Sequence, residues 1–399
     1  GKNDRPRVSR DGRNPAVSHE TTETAIEECS VAASEPETFG ELHFGGAELG
    51  DARRTKRLVR VANAIMRHPG GTLPEKMGGP AELEAMYHLM NCEEVTHESV
   101  LAPHIALTRK KIAEHDGFVL AIHDTTELDF TTRESLSDRG QIGNGSHQGW
   151  LCHNTLIVDP VHREAMGLAN QILHCRPVES KKETTAEKRS RLDRESRLWL
   201  QGVQSLPSDQ KIVDVCDRGA DTFEFLEHEV RSGRTFVVRS SYDRGTYCSD
   251  EKNATKTMLH PVARSLPSLG EWTMKVEASK TKKTVRKTVN GKRISETVVV
   301  DRKAREAVVH VSASPVIVAA PRRHRGHHGN KPLPMWVVRV WEPNPPAGAE
   351  ALEWILLTNH ACTDLEAAQR VKSWYECRWI CEESHKGQKT GCGIENPQR

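Results

Sequence analysis

KIVDVCDRGADTFEFLEHEVRSG, residues 211–233, decides the fold class. It opens with a short apolar run that ends on an acid, Asp217, and a helical segment follows at once. TFVVRSS (235–241) then supplies the next strand. A buried apolar strand that feeds a helix and returns as a strand is the signature of a sheet with parallel neighbours. Ligand chemistry in such sheets gathers at the carboxyl ends of the strands, which is where Asp217 is expected.

Upstream, FVLAIHD (118–124) is another short apolar run ending in an acid, Asp124. HNTLIVDP (153–160) and EAMGLANQIL (164–173) read as two more strands, with a tight turn around PVHRE. Residues 179–206 read as one long charged helix. Downstream, residues 242–350 are rich in Thr, Val and Lys with alternating periodicity, and Asn290-Gly291 is a hairpin signal. This stretch is expected to be an all-β insertion with cationic faces. EWILLTN (353–359) resumes the core, and residues 363–389 form a helix or helix pair, with Thr363 as N-cap and Glu366 completing a capping box. Three strands in a meander, then alternating helices and strands, is the order of a ribonuclease H-like α/β core.

The totals bound the rest. The chain has 399 residues, 36% apolar and 28% charged, which can support a core. No apolar run approaches the ~18 residues of a membrane span. Ten cysteines without a CxxC pair fit reduced thiols in a cytoplasmic protein and do not suggest zinc. The run RRHRGHHGN (322–330) reads as a basic loop. The net charge is only +2, so any affinity for nucleic acid must come from where the cations lie. Residues 1–37 are polar and are expected to be disordered. Residues 38–115 are expected to form a small helical domain of three helices. The first has Asp51 as N-cap and a basic start at Arg53, Arg54, Arg57 and Arg60; the second begins at Pro80; the third covers 96–112. This composition suggests a DNA-binding module, with a basic solvated domain as the alternative. The expected core then spans 116–241 and 351–399, around the insertion at 242–350.

A third acid comes from the last helix. At about 100° per residue, Tyr375, Arg378, Glu382 and Lys389 share one stripe, while Trp374, Cys377 and Cys381 form a neighbouring packing stripe. Asp124, Asp217 and Glu382 would make an oxygen-only site suited to two Mg²⁺ or Mn²⁺ ions and to phosphoryl transfer. Glu383 is the adjacent alternative acid.

The spacing Y-x2-R-x3-E-x6-K, carried by Tyr375, Arg378, Glu382 and Lys389, resembles the signature of DDE transposases of the insertion-sequence-four type. LGDARRTKRLVRVA, IHDTTELDF, GWLCHNTLIVD, VCDRGADTFEFL, FVVRS and ALEWILLT resemble other segments of that family, in order from about residue 40 to the last. The resemblance implies that Asp124, Asp217 and Glu382 are metal ligands. It implies DNA contacts from Arg239, Tyr375, Arg378 and Lys389, base stacking by Trp354, and end recognition through Arg53, Arg54 and Arg57; Lys386, a cation of the same stretch, is expected to contact DNA beside them. It implies cut-and-paste transposition: one strand is nicked at the element's end, the freed 3′-OH forms a hairpin that is reopened, and the 3′-OH then attacks target DNA. The partners implied are double-stranded DNA and a second copy of the protein, in a bacterial nucleoid setting. The chain stops 17 residues beyond Glu382, so the family's dimerisation region is expected to be absent. Two other readings are a truncated, inactive copy that competes for element ends, and a plain nuclease of the same fold.

Overall fold

The computed structural model describes residues 37–143, 145–177, 183–249, 254–289, 292–322 and 326–395. The segment expected to be disordered lies outside these residues up to position 36, as do the hairpin dipeptide 290–291 and part of the His-rich run.

The centre of the molecule is the pairing of two apolar strands. Strand β1, Val119–Asp129, lies parallel to β5, Ile212–Cys216, in the register Val119↔Ile212 through His123↔Cys216. Val119, Leu120, Ala121, Ile122, Ile212, Val213 and Val215 are fully buried, because helices and loops cover both faces. The residue after each paired run is an acid, Asp124 or Asp217. The register therefore brings these two side chains to the same edge, although 93 positions separate them in the chain.

Asp124 does not end its strand. β1 continues to Asp129, held by antiparallel pairing with β3, Gln148–Asp159, from Leu120↔Val158 to Asp129↔Gly149. The end of the apolar run marks where β5 stops covering β1, not where β1 stops. Strand β4, Glu164–His174, pairs with β3, and β6, Thr235–Arg239, lies parallel to β5. Gly140–Gln141 (β2) adds a short edge to β3.

The insertion differs from expectation in two ways. It contains a helix, α9, Leu259–Ser265, where Leu259 and Ala263 at helical spacing are both fully buried. Its strands also extend the central sheet. β14, Glu353–Thr358, lies antiparallel to β6 and carries β13, Leu333–Trp341, and β12, Arg305–Val318, beyond it. The short β7, Gly245–Tyr247, β8, Thr257–Met258, and β9, Gly270–Val276, complete this side. Strands β10, Ser279–Val289, and β11, Lys292–Arg302, alone make a separate two-stranded sheet among the described residues.

The expected long helix at 179–206 is also broken. Helix α6, Thr185–Ser190, ends at Arg191 in extended geometry, and a 3₁₀ turn, Glu195–Arg197, leads into α7, Leu198–Gln204. The charged half has no buried residue to hold it, whereas Leu198, Trp199, Leu200 and Val203 anchor α7. Gly202 lets α7 approach the sheet: an added Cβ would lie 2.8 Å from His123 Nδ1 and 3.0 Å from His153 Nε2.

The N-terminal part is helical: α1, Phe39–Phe44; α2, Ala52–Arg67; α3, Leu73–Met77; α4, Pro80–Met90; and α5, His97–Glu114. Asp51 caps α2 by accepting from Arg53 N–H at 2.8 Å, and Pro80 opens α4. Two short helices, α1 and α3, escape the sequence reading because neither is long enough to show a period. Helix α5 packs on β4. Lys111 Nζ donates to the Met166 carbonyl at 3.0 Å, and His104 Nε2 accepts from Leu168 N–H at 3.0 Å.

This packing gives a pH prediction. Burial first, then the charges of His43 and Lys111, push the His104 pKa down to about 4. Its Nδ1 also faces His43 Nδ1 at 2.8 Å, so the neutral ring uses both nitrogens. The unfolded chain binds this proton near pH 6.5 and the folded chain does so only near pH 4. The contribution of neutral His104 is therefore complete above about pH 6.5 and is lost as pH falls towards 4. Melting temperature should fall between pH 7 and pH 5, and His104→Gln should flatten that slope. An unchanged slope would remove His104 as its source.

Three further helices pack around the sheet. α8, Phe223–Ser232, follows β5 with Thr222 as N-cap, and Gly233 terminates it at φ 70°. α10, Leu365–Glu376, and α11, Arg378–Lys386, run nearly end to end through Cys377. The cap of α10 is Asp364, not Thr363: its carboxylate accepts from Ala367 N–H at 2.9 Å, which leaves Glu366 one position short of a capping box.

Candidate active site

Helix α11 brings the third acid to Asp124 and Asp217. Trp374, Cys377 and Cys381 are buried against the sheet, which turns the opposite stripe towards the acids. Arg378 is the hub. Its Nη2 lies 3.2 Å from Asp124 Oδ2 and 3.1 Å from Glu382 Oε1, and its Nη1 lies 4.0 Å from Asp217 Oδ2. Three carboxylates from β1, the end of β5 and α11 thus converge on one guanidinium. Asp217 also caps the 3₁₀ turn Arg218–Ala220 by accepting from Gly219 N–H at 2.9 Å. Glu383, in contrast, pairs with Lys386. Glu382 is the acid that joins the cluster.

The electrostatics follow from this crowding. Burial pushes the Asp124 pKa up to about 6; Arg378 opposes the rise, while Asp217 and Glu382 add to it. Burial disfavours the charge on Arg378, but Asp124, Tyr375, Asp217 and Glu382 outweigh it and raise its pKa. The cluster therefore holds negative charge that favours a cation between its members.

A cleft of about 1230 Å³ opens beside the acids. Asp217, Arg239, Trp354, Tyr375, Arg378, Glu382 and Lys386 line it. Tyr375 is buried, and its ring meets Trp354 edge-on at 5.2 Å. Burial raises the Tyr375 pKa, so its hydroxyl stays protonated and can donate. Arg239 donates to the Glu353 carbonyl at 3.1 Å.

Lys389 is not brought to this cleft. Helix α11 ends at Lys386, and the wider π turn Gly387–Gly391 rotates Lys389 off the α-helical stripe, towards Glu395 at 3.6 Å. Arg53, Arg54 and Arg57 lie on α2. Arg53 pairs with Asp51 but remains 90% exposed, whereas Arg54 and Arg57 are tied to Glu94 and Glu82 at 3.0 and 2.6 Å.

Sequence reading missed the support behind Asp124. Asn154 donates to His385 Nε2 at 3.0 Å, Gln171 donates to Asn154 at 2.8 Å, and His97 meets Gln171 at 3.0 Å. His385 Nδ1 faces Asp124 at 3.9 Å. Only the position of His385, one turn beyond Cys381 on the packing stripe, signalled its inward direction. Asp124, Cys381 and His385 offer ligand atoms within 4.8 Å of one another and could also hold a metal ion. Burial raises the Cys381 pKa, and the Asn154 donor engages His385 Nε2. The three carboxylates are thus the better donors for a hard cation.

Residues 36–95 match the family model for the transposase DNA-binding domain. The match covers α2 and α4 and the arginines of α2, and it supports a transposase-type function with DNA as a partner. No helix among the described residues is long and apolar enough to cross a membrane.

Proposed function

We propose that the chain is a DDE transposase of the insertion-sequence-four type that cuts and joins element ends by phosphoryl transfer. The observation that carries this reading is the convergence of Asp124, Asp217 and Glu382 on Arg378, each within 4.0 Å of its guanidinium. The strand order β4-β3-β1-β5-β6, with β5 and β6 parallel to β1, supports a ribonuclease H-like core. The DNA-binding match at 36–95 supports the same reading independently.

The acids fit Mg²⁺ or Mn²⁺ because all their donors are carboxylate oxygens. When bound, two such ions supply Lewis-acid activation of the attacking oxygen and stabilise the departing one. Arg378 and Lys386 pair with phosphate oxygens along the cleft. Tyr375 donates its hydroxyl and does not attack, because its raised pKa keeps it protonated. Trp354 presents a ring for stacking a displaced base, worth about 1–3 kcal/mol. Asp124 is held for its role by Thr125 N–H, which donates to Oδ1 at 3.0 Å. In this reading the DNA complex is a homodimer that joins two ends.

Incubation with Mg²⁺ and DNA carrying the element's own inverted repeats tests the proposal. Nicks at the repeat boundary, followed by hairpins, are expected. Binding without cleavage would favour an inactive copy that competes for ends. Cleavage without preference for the repeats would favour a plain nuclease.

A further inference from the structure

A second groove, of about 1320 Å³, lies on the other side of the Asp217–Thr222 turn. Asp217 and Arg218 face the catalytic cleft, and Asp221 and Thr222 line this groove. Nine Lys or Arg side chains line it against four acids, so its field is strongly positive. The acids are already engaged by arginines of the walls. Glu224 is held by Arg194 and Arg197 at 2.8 and 2.6 Å, Glu195 by Arg176 at 2.8 Å, Asp193 by Arg191 at 2.8 Å, and Asp221 by Arg244. These pairs fix the walls and cancel within themselves. Of the five lining cations that remain, Arg139 donates to the Leu136, Phe130 and Thr131 carbonyls, whereas Arg189, Lys256 and Arg322 are exposed and none of these three is ion-paired among the described residues.

We propose that this groove binds the phosphate backbone of a second stretch of duplex DNA, without reading its sequence. The inference rests on the DNA-processing reading above and adds a surface to it. A groove with a rigid wall and three free cations on separate chain segments suits regularly spaced phosphates better than a small anion, which would need its donors converging on one point. The catalytic cleft has its own cations beside its acids, so a DNA segment crossing the turn would leave one groove and enter the other. Two sources share this chemistry: the DNA that flanks the element end, and the target DNA.

The test is salt-dependent binding by the full chain carrying Arg189→Ala, Lys256→Ala and Arg322→Ala together. The probes are three duplexes of equal length: an element end cut flush at its terminus, the same end with flanking DNA, and an unrelated sequence. Each lost phosphate contact lowers the slope of log affinity against log salt by about 0.9, so the slope should fall by about 2 to 3. Affinity should drop about 10-fold or more, with the flush end within about 2-fold. A drop on the flanked end assigns the groove to flanking DNA, and a drop on the unrelated duplex assigns it to target DNA. Arg189→Lys with Arg322→Lys should keep the parental slope. Unchanged slopes on all three duplexes, or an equal loss on the flush end, would overturn the proposal. Neither result depends on cleavage, so a failed nicking assay and a failed groove are separately visible.

Discussion

Glu382→Ala should reduce Mg²⁺-dependent nicking by on the order of 10³-fold while leaving end binding within a few-fold. The side chain is 59% exposed, and its one polar partner among the described residues is Arg378 at 3.1 Å. Removing it leaves no buried group stranded, and Arg378 keeps Asp124 at 3.2 Å. The substitution therefore withdraws one carboxylate from the cluster at little structural cost. Glu383→Ala is the control, because Glu383 pairs with Lys386 and does not meet Arg378. A nicking assay beside a gel-shift titration separates the two quantities. Parental nicking by Glu382→Ala would end its assignment, and a loss confined to Glu383→Ala would move the role one residue along.

Arg234→Met should destabilise the fold by about 3–5 kcal/mol, the usual result of stranding one partner of a buried ion pair. Arg234 and Asp214 are 3% and 0% exposed. Arg234 Nε and Nη2 donate to the two Asp214 oxygens at 2.8 and 2.9 Å, and Nη1 donates to the Pro207 carbonyl at 3.0 Å. His123 meets Asp214 at 2.8 Å, and the carboxyl of Glu229 is buried nearby. Burial and Asp214 push the Glu229 pKa well up. Without Arg234, the buried Asp214 carboxyl loses its main charge partner and is left beside a second acid. Pairing Arg234→Met with Asp214→Leu should recover much of the loss, because it removes the stranded charge. Urea denaturation reads both variants. A single-variant loss under about 1 kcal/mol would show that this pair is not what secures β5 beside β1.

The two variants probe different levels of one arrangement. Asp214 sits three residues before Asp217 on the strand whose register with β1 sets the acids side by side. Loss of Arg234 acts on that register through stability. Loss of Glu382 is expected to act on the proposed chemistry alone.

Local chemistry made much of this legible from residues in order. The Asp51 cap, the Pro80 start, the apolar strands and the packing stripe of Trp374, Cys377 and Cys381 depend on neighbours within a few positions. So does the stripe that carries Arg378 and Glu382. Where the reading failed, the competing force was tertiary. The charged half of 179–206 had no surface to bury, so the helix broke. Leu259 and Ala263 found a buried face inside a β-rich stretch, so a helix formed. A π turn moved Lys389 away from the residues with which it shared a motif.

By itself, the order of residues determined most of the core strands, the longer helices and which acids were candidates, because propensity, capping and periodicity act over one or two turns. Only the folded chain decided that Asp124, Asp217 and Glu382 meet, that Arg378 rather than Lys389 stands among them, and that His385 and Asn154 support them from behind. Those outcomes depend on strand register and on which helix face is buried, and both are settled by contacts between residues far apart in the chain.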